Sequence, residues 1–98
     1  MKSTSKVSRG LQDFLNFLEE FDQEMLYPTG HESAIVGVVE RFGMDPIILL
    51  DKSKIIRTLM QRDGMTEEDA EEFFEFNIIG AWMGEGTPAY MTSIKDLV

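Results

Sequence analysis

DKSKIIRTLMQRDGMTEEDAEEFFEFN, running from Asp51 to Asn77, reads as two helices joined by a corner. Asp51 is a good N-cap, and Ile55, Ile56, Leu59 and Met60 then recur at helical spacing on an inward side, with Lys52, Lys54, Arg57 and Arg62 outward. This predicts a helix to about Asp63. Gly64 supplies its left-handed stop, and Thr66 caps the next helix at once. Acidic residues fill the first turn of that second helix, where the macrodipole favours them, although Asp69 is an imperfect substitute for the Glu of a capping box. The corner is tight.

Six acidic residues, Glu67, Glu68, Asp69, Glu71, Glu72 and Glu75, then fall within nine positions. On a helical wheel of about 100° per residue, Ala70, Phe73, Phe74 and Asn77 share one arc, while Glu67, Glu68, Glu71, Glu72 and Glu75 occupy the opposite one. Asn77 is the anomaly, since a carboxamide left unbonded on an apolar face costs on the order of 1 to 3 kcal/mol. Its expected task is structural, bonding the backbone of the Gly-rich turn that follows.

Upstream, Ala34 to Val39 and Pro46 to Leu50 are rich in Val, Ile and Leu and are joined by Phe42-Gly43-Met44-Asp45, which predicts a β-hairpin with Pro46 opening its strand. Both strands are apolar on two sides and so require cover on two faces. Either an N-terminal helix supplies it or a second subunit does. That helix is predicted by Leu11, Phe14, Leu15, Leu18, Phe21, Met25 and Leu26, and Tyr27-Pro28 ends it. Downstream, Gly84-Glu85-Gly86 breaks the chain before Thr87-Pro88-Ala89-Tyr90-Met91-Thr92, where Pro88 restricts the strand to an edge. Gly84 and Gly86 are both expected at backbone angles other residues avoid.

The fold class is therefore α+β, with a small three-stranded antiparallel sheet and three helices in the order α-β-β-α-α-β. Residues 1–10 form a flexible basic N-terminus, and 11–98 a single domain.

Charge bounds the function. The chain has 98 residues, 18 of them acidic and 9 basic, for a net charge of −9. Lys2, Lys6 and Arg9 make the first ten residues basic, and the Lys52–Gly64 helix is a second basic stretch between two acidic regions. Phosphate-gripping domains need a basic face, so direct nucleic-acid binding is a poor fit, as is an anionic membrane. Basic protein surfaces fit better. The simplest account of the acidity remains solvation, with the basic helix paired to an acidic neighbour inside the molecule.

With no cysteine there is neither a disulfide nor a thiolate metal site, which points to a reducing, cytoplasmic setting. No apolar signal region follows the basic start, and no run approaches a membrane span.

The run Arg62 to Asn77, continuing through Gly80-Ala81-Trp82 and Gly84-Glu85-Gly86-Thr87-Pro88, resembles a group of small uncharacterised proteins encoded by bacteriophages and bacteria. Their shared pattern is D-G-M-T-x-E-E-A, then aromatic-x-x-N, then G-A-aromatic, then G-E-x-T-P. Asp69 departs from it. The resemblance extends from the hairpin to Tyr90 and omits the N-terminal helix. It implies a viral or mobile-element origin, hence a host cytoplasm, and it brings no established activity.

Catalytic and metal motifs are incomplete. His31-Glu32 begins like H-E-x-x-H, but Ile35 stands at the fifth position and there is no second His; His31 is expected to be a solvent-exposed loop residue. The Gly84-Glu85-Gly86 turn lacks the Lys of a phosphate loop and sets a carboxylate where phosphate would sit. The oxygens a calcium loop needs before Gly64 are missing, and Glu67, Glu71 and Glu75 one turn apart would hold a divalent ion only weakly. No enzyme, cofactor or metal site is assigned. The expected activity is protein binding through Glu67, Glu68, Glu71, Glu72, Glu75, Trp82 and Glu85, with Gly64, Thr66, Asn77, Gly84, Gly86 and Pro88 structural. Its sharper form is a DNA mimic that blocks a basic nucleic-acid enzyme. A homo-oligomer built through the apolar hairpin is the alternative.

Overall fold

The computed structural model describes residues 12, 13, 16 and 25–97. The basic N-terminus and most of the expected first helix lie outside the described residues. Gln12, Asp13 and Asn16 are helical, and the Gln12 amide donates to the Asn16 side-chain oxygen at 3.1 Å.

β1 (Ile35–Arg41) and β2 (Met44–Asp51) form the hairpin, antiparallel as expected but longer than expected. Gly43, at φ 74°, lets a two-residue turn of Phe42 and Gly43 suffice, so Met44 and Asp45 join the strand. Pro46 is consequently the third residue of the central strand rather than its first. It is tolerated because the ladder is irregular between Val39 and Arg41, opposite it, and because the third strand pairs only with Leu49, Leu50 and Asp51.

β2 passes directly into α1 (Lys52–Asp63): Asp51 ends the strand and caps the helix, its Oδ1 accepting from the Ser53 amide at 3.0 Å. Gly64 closes α1 at φ 73°. Thr66 then opens α2 (Glu67–Phe73), its Oγ1 accepting from the Asp69 amide at 3.1 Å. Both expected caps form.

β3 (Ala89–Met91) pairs with β2 through Leu49↔Ala89, Leu50↔Tyr90 and Asp51↔Met91, and the pairing is parallel. The sheet, in the order β1-β2-β3, is mixed, which corrects the antiparallel expectation. Two helices and the ten residues between Ile78 and Ala89 provide a crossover, and a crossover returns the next strand in the same direction. β3 is an edge strand, with Pro88 buried just before it.

Ile48 and Leu50 of β2 meet Ile55, Ile56 and Leu59 of α1 and Ala70, Phe74 and Ile78 of the second helical element, with Ala34 completing the core. Met60 lies outside it, 38% exposed, which corrects its expected inward place. Ile47 is buried on its own, apart from this cluster.

His31 is also corrected: it is buried, only 5% exposed. Arg62, at the far end of α1, reaches its loop across 32 positions of sequence and donates to the Gly30 carbonyl at 2.8 Å. The same guanidinium grips both carboxylate oxygens of Asp63, at 3.0 and 3.1 Å, holding that carboxyl below its ordinary range.

Candidate partner-binding face

α2 does not continue as an α-helix. From Phe74 to Ile78 it widens into a π turn, with the Ile79 amide bonded to the Phe74 carbonyl at 2.8 Å. A ring closed from i to i+5 holds more residues per turn, so each advances by less than the α-helical angle. The wheel therefore changes phase at Phe74. Ala70, Phe74 and Ile78 line up against the core, while Phe73 is 37% exposed and Asn77 is exposed. This corrects the expected arc, on which Phe73 and Asn77 were inward and Ile78 was not. Among the described residues the hydrogen bonds of the Gly-rich turn come from Thr87 and the backbone, not from the expected Asn77 side chain.

The acidic positions separate into two sets. Glu67 and Glu71 line a cavity of about 470 Å³ beside α1, shared with Lys52, Arg57 and Asp96. Lys52 Nζ lies 3.6 Å from Glu71 and 3.9 Å from Glu75, and 5.2 Å from the centre of the Phe74 ring. The basic helix thus pairs with its acidic neighbour, and Lys52 already provides the cation for two carboxylates of the Glu67, Glu71, Glu75 row. Among the described residues no three His, Asp or Glu side chains converge as a metal site would need.

On the other side, Asp69 and Glu72 rim an open groove of about 470 Å³ with Met65, Phe73, Phe76 and Asn77. No Lys or Arg among the described residues pairs with Glu68, Asp69 or Glu72. Phe76 is 75% exposed, and beyond the π turn Ile79, Met83 and Trp82 are also exposed, Trp82 by 75%. Core packing does not account for that tryptophan. Asn77 was missed as a surface residue because the π turn, which an α-helical wheel cannot represent, turns it outward, whereas Phe73 precedes that turn and lies at the edge of the buried arc.

Gly84 takes φ 103° in the following turn. Thr87 locks it: its hydroxyl donates to the Gly84 carbonyl at 2.6 Å and accepts the Met83 amide at 2.8 Å. Gly86 is not among the left-handed glycines, which corrects that expectation; its carbonyl accepts the Leu26 amide at 3.4 Å. Glu85 sits apart from the acidic helix, beside Arg41, Gly43, Met44 and Asp45 at the hairpin tip.

Among the described residues, two buried polar side-chain atoms lack a hydrogen-bond partner, Nδ1 of His31 and the Tyr90 hydroxyl. Burial first, and then the Arg62 charge, hold His31 below its ordinary pKa, while burial raises that of Tyr90. Tyr90 packs edge-on to Phe74 at 5.3 Å. Neither His31 nor Tyr90 lines the cavity beside α1, the groove on α2 or the pocket at the hairpin tip. No helix among the described residues is long and apolar enough to cross a membrane. No protein-family model matches the chain, and no curated protein or solved structure is significantly similar to it.

Proposed function

We propose that this chain is a non-catalytic, phage-type accessory protein that binds another protein through the outer face of α2 and its π turn. The observation that carries this reading is the exposure of Phe76 beside Asp69 and Glu72, carboxylates that no cation among the described residues neutralises, with Trp82 exposed further along the chain. Large aromatics contribute heavily to interface energy, and the same area left in water is costly to keep exposed. Charge supports a basic partner, acting in the host cytoplasm if the chain is viral.

The sharper form, a DNA mimic that inhibits a nucleic-acid enzyme, draws only on Glu67, Glu68 and Glu72, because Lys52 holds Glu71 and Glu75. An exposed phenylalanine between charges is a feature of protein docking rather than of a phosphate backbone. The test is affinity capture from the native host with wild-type protein, with Phe76→Ala/Trp82→Ala, and with Glu67, Glu68 and Glu72 changed to Lys. The aromatic pair is expected to abolish capture of a specific basic protein; capture unaffected by it would overturn the reading. Loss with the charge reversals, together with competition by duplex DNA, would support the mimic.

A second reading is favoured by the hairpin, where Val36, Phe42 and Met44 are exposed. It is a homo-oligomer assembled through that hairpin, and a strictly monomeric mass at high concentration would exclude it.

A further inference from the structure

We infer that the groove on α2 receives one face of a cationic amphipathic helix, which seats an aliphatic or aromatic side chain over Met65, Phe73 and Phe76 and places Lys or Arg against Asp69 and Glu72. The inference rests on the protein-binding reading and specifies the partner's chemistry.

The form of the partner follows from the backbone. Beyond the Thr66-capped first turn, α2 and its π turn spend their backbone groups on their own helical bonds, and the groove lies on that element rather than on a sheet edge, so it offers no ladder to an extended peptide. The occupant must bring its backbone already paired, as a helix does. The 12 residues from Glu67 to Ile78 also span roughly 18 Å at a helical rise, enough to lie along about three turns of a partner.

Its charge follows from the rim. Asp69 and Glu72 are one helical turn apart, are exposed, and have no cationic partner among the described residues, whereas Glu71 and Glu75 on the α1 side share Lys52. Cations at the same spacing on a partner helix would meet both. Asn77, exposed at the groove's end, adds one amide able to donate and accept.

The test uses fluorescence anisotropy of a labelled 14-residue Leu/Lys peptide with helical periodicity, a scrambled peptide of the same composition, and a Leu/Glu counterpart. The periodic Leu/Lys peptide is expected to bind at least tenfold more tightly than the scrambled one, and the Leu/Glu peptide not at all. Phe76→Ala should weaken binding about tenfold, a typical loss for a truncated aromatic anchor. Asp69→Asn/Glu72→Gln should weaken it about fivefold, while the charge-matched pair Glu40→Gln/Asp45→Asn on the hairpin should leave it within twofold. All are exposed positions, and circular dichroism verifies that each variant is folded.

Equal binding of the scrambled peptide, equal weakening by the hairpin pair, or indifference to Phe76→Ala would overturn the inference, leaving only net-charge attraction. A native partner captured through Phe76 and Trp82 but not displaced by the periodic peptide would also overturn it, while the protein-binding reading would stand. Capture indifferent to both aromatics would instead remove that reading itself.

Discussion

The identity of Gly80 is dictated by crowding rather than by a left-handed angle. A Cβ there would lie 2.7 Å from the Glu75 carbonyl oxygen and 3.3 Å from that of Phe76, both backbone atoms of the π turn, so neither can rotate away. Gly80→Ala should destabilise by about 1 to 3 kcal/mol, the usual cost of overpacking. Gly37→Ala, where nothing lies within 4 Å, is the control and should stay within about 0.5 kcal/mol. Urea unfolding of the two variants measures the difference, and equal stabilities would refute the clash. His31 makes a prediction of opposite dependence on conditions. Its folded pKa lies below 6.5, chiefly through burial, with Arg62 lowering it further and Asp63 and Glu32 opposing. The unfolded chain therefore takes up the proton first, so stability is full above about pH 6.5 and is lost as pH falls through the folded pKa. A His31→Gln variant should lose this dependence, while the stabilisation from Asp63, whose pKa is also lowered, would persist until more acidic pH. Unfolding midpoints from pH 8 to pH 5 decide it, and a midpoint constant over that range would refute the assignment.

At the scale of elements, the pairing of α1 with α2 depends partly on Lys52, which meets Glu71, Glu75 and the Phe74 ring at once. These are half-exposed contacts, so Lys52→Ala should cost only about 1 kcal/mol, from weak ion pairs and a cation–π contact together. A double-mutant cycle with Glu71→Ala would show the coupling, and strict additivity would show there is none. This pairing was legible in the sequence, as were both caps, the hairpin and the edge position of β3, because each depends on neighbours within a turn or on the charge of adjacent segments. Three features were not legible. The π turn leaves a 3.6-residue pattern intact up to Phe74 and then changes its phase, so the pattern put Asn77 inside where the structure exposes it. The direction of β3 depends on where a ten-residue connection delivers the chain, which no local propensity specifies. His31 is buried by a loop that Arg62 ties down from 32 residues away. The acidic stripe was visible at once, but its division into a side held by Lys52 and a side facing solvent required the packing of α1.

For the molecule as a whole, excess charge competes with ion pairing, and magnitudes decide the outcome. Within Glu67–Glu75, six carboxylate pairs lie three or four positions apart: Glu67 with Glu71, Glu68 with Glu71, Glu68 with Glu72, Asp69 with Glu72, Glu71 with Glu75, and Glu72 with Glu75. Each costs about 0.2 to 0.5 kcal/mol, so the element bears roughly 1 to 3 kcal/mol of repulsion before the rest of the −9 net charge is considered. Against this stand three surface ion pairs among the described residues, each with a median contribution of about 0 to 1 kcal/mol. Salt screens both, with a Debye length near 8 Å at about 0.15 M, but the repulsive contacts are more numerous and extend further across the surface. Thermal stability is therefore expected to rise as NaCl increases from about 0.02 to 0.3 M, the reverse of a protein held together by its surface ion pairs. Lys52→Ala should steepen the rise, because it leaves Glu71 and Glu75 uncompensated. Melting curves of both proteins across that range test this, and a midpoint that falls with added salt would show that attraction, not repulsion, dominates the surface.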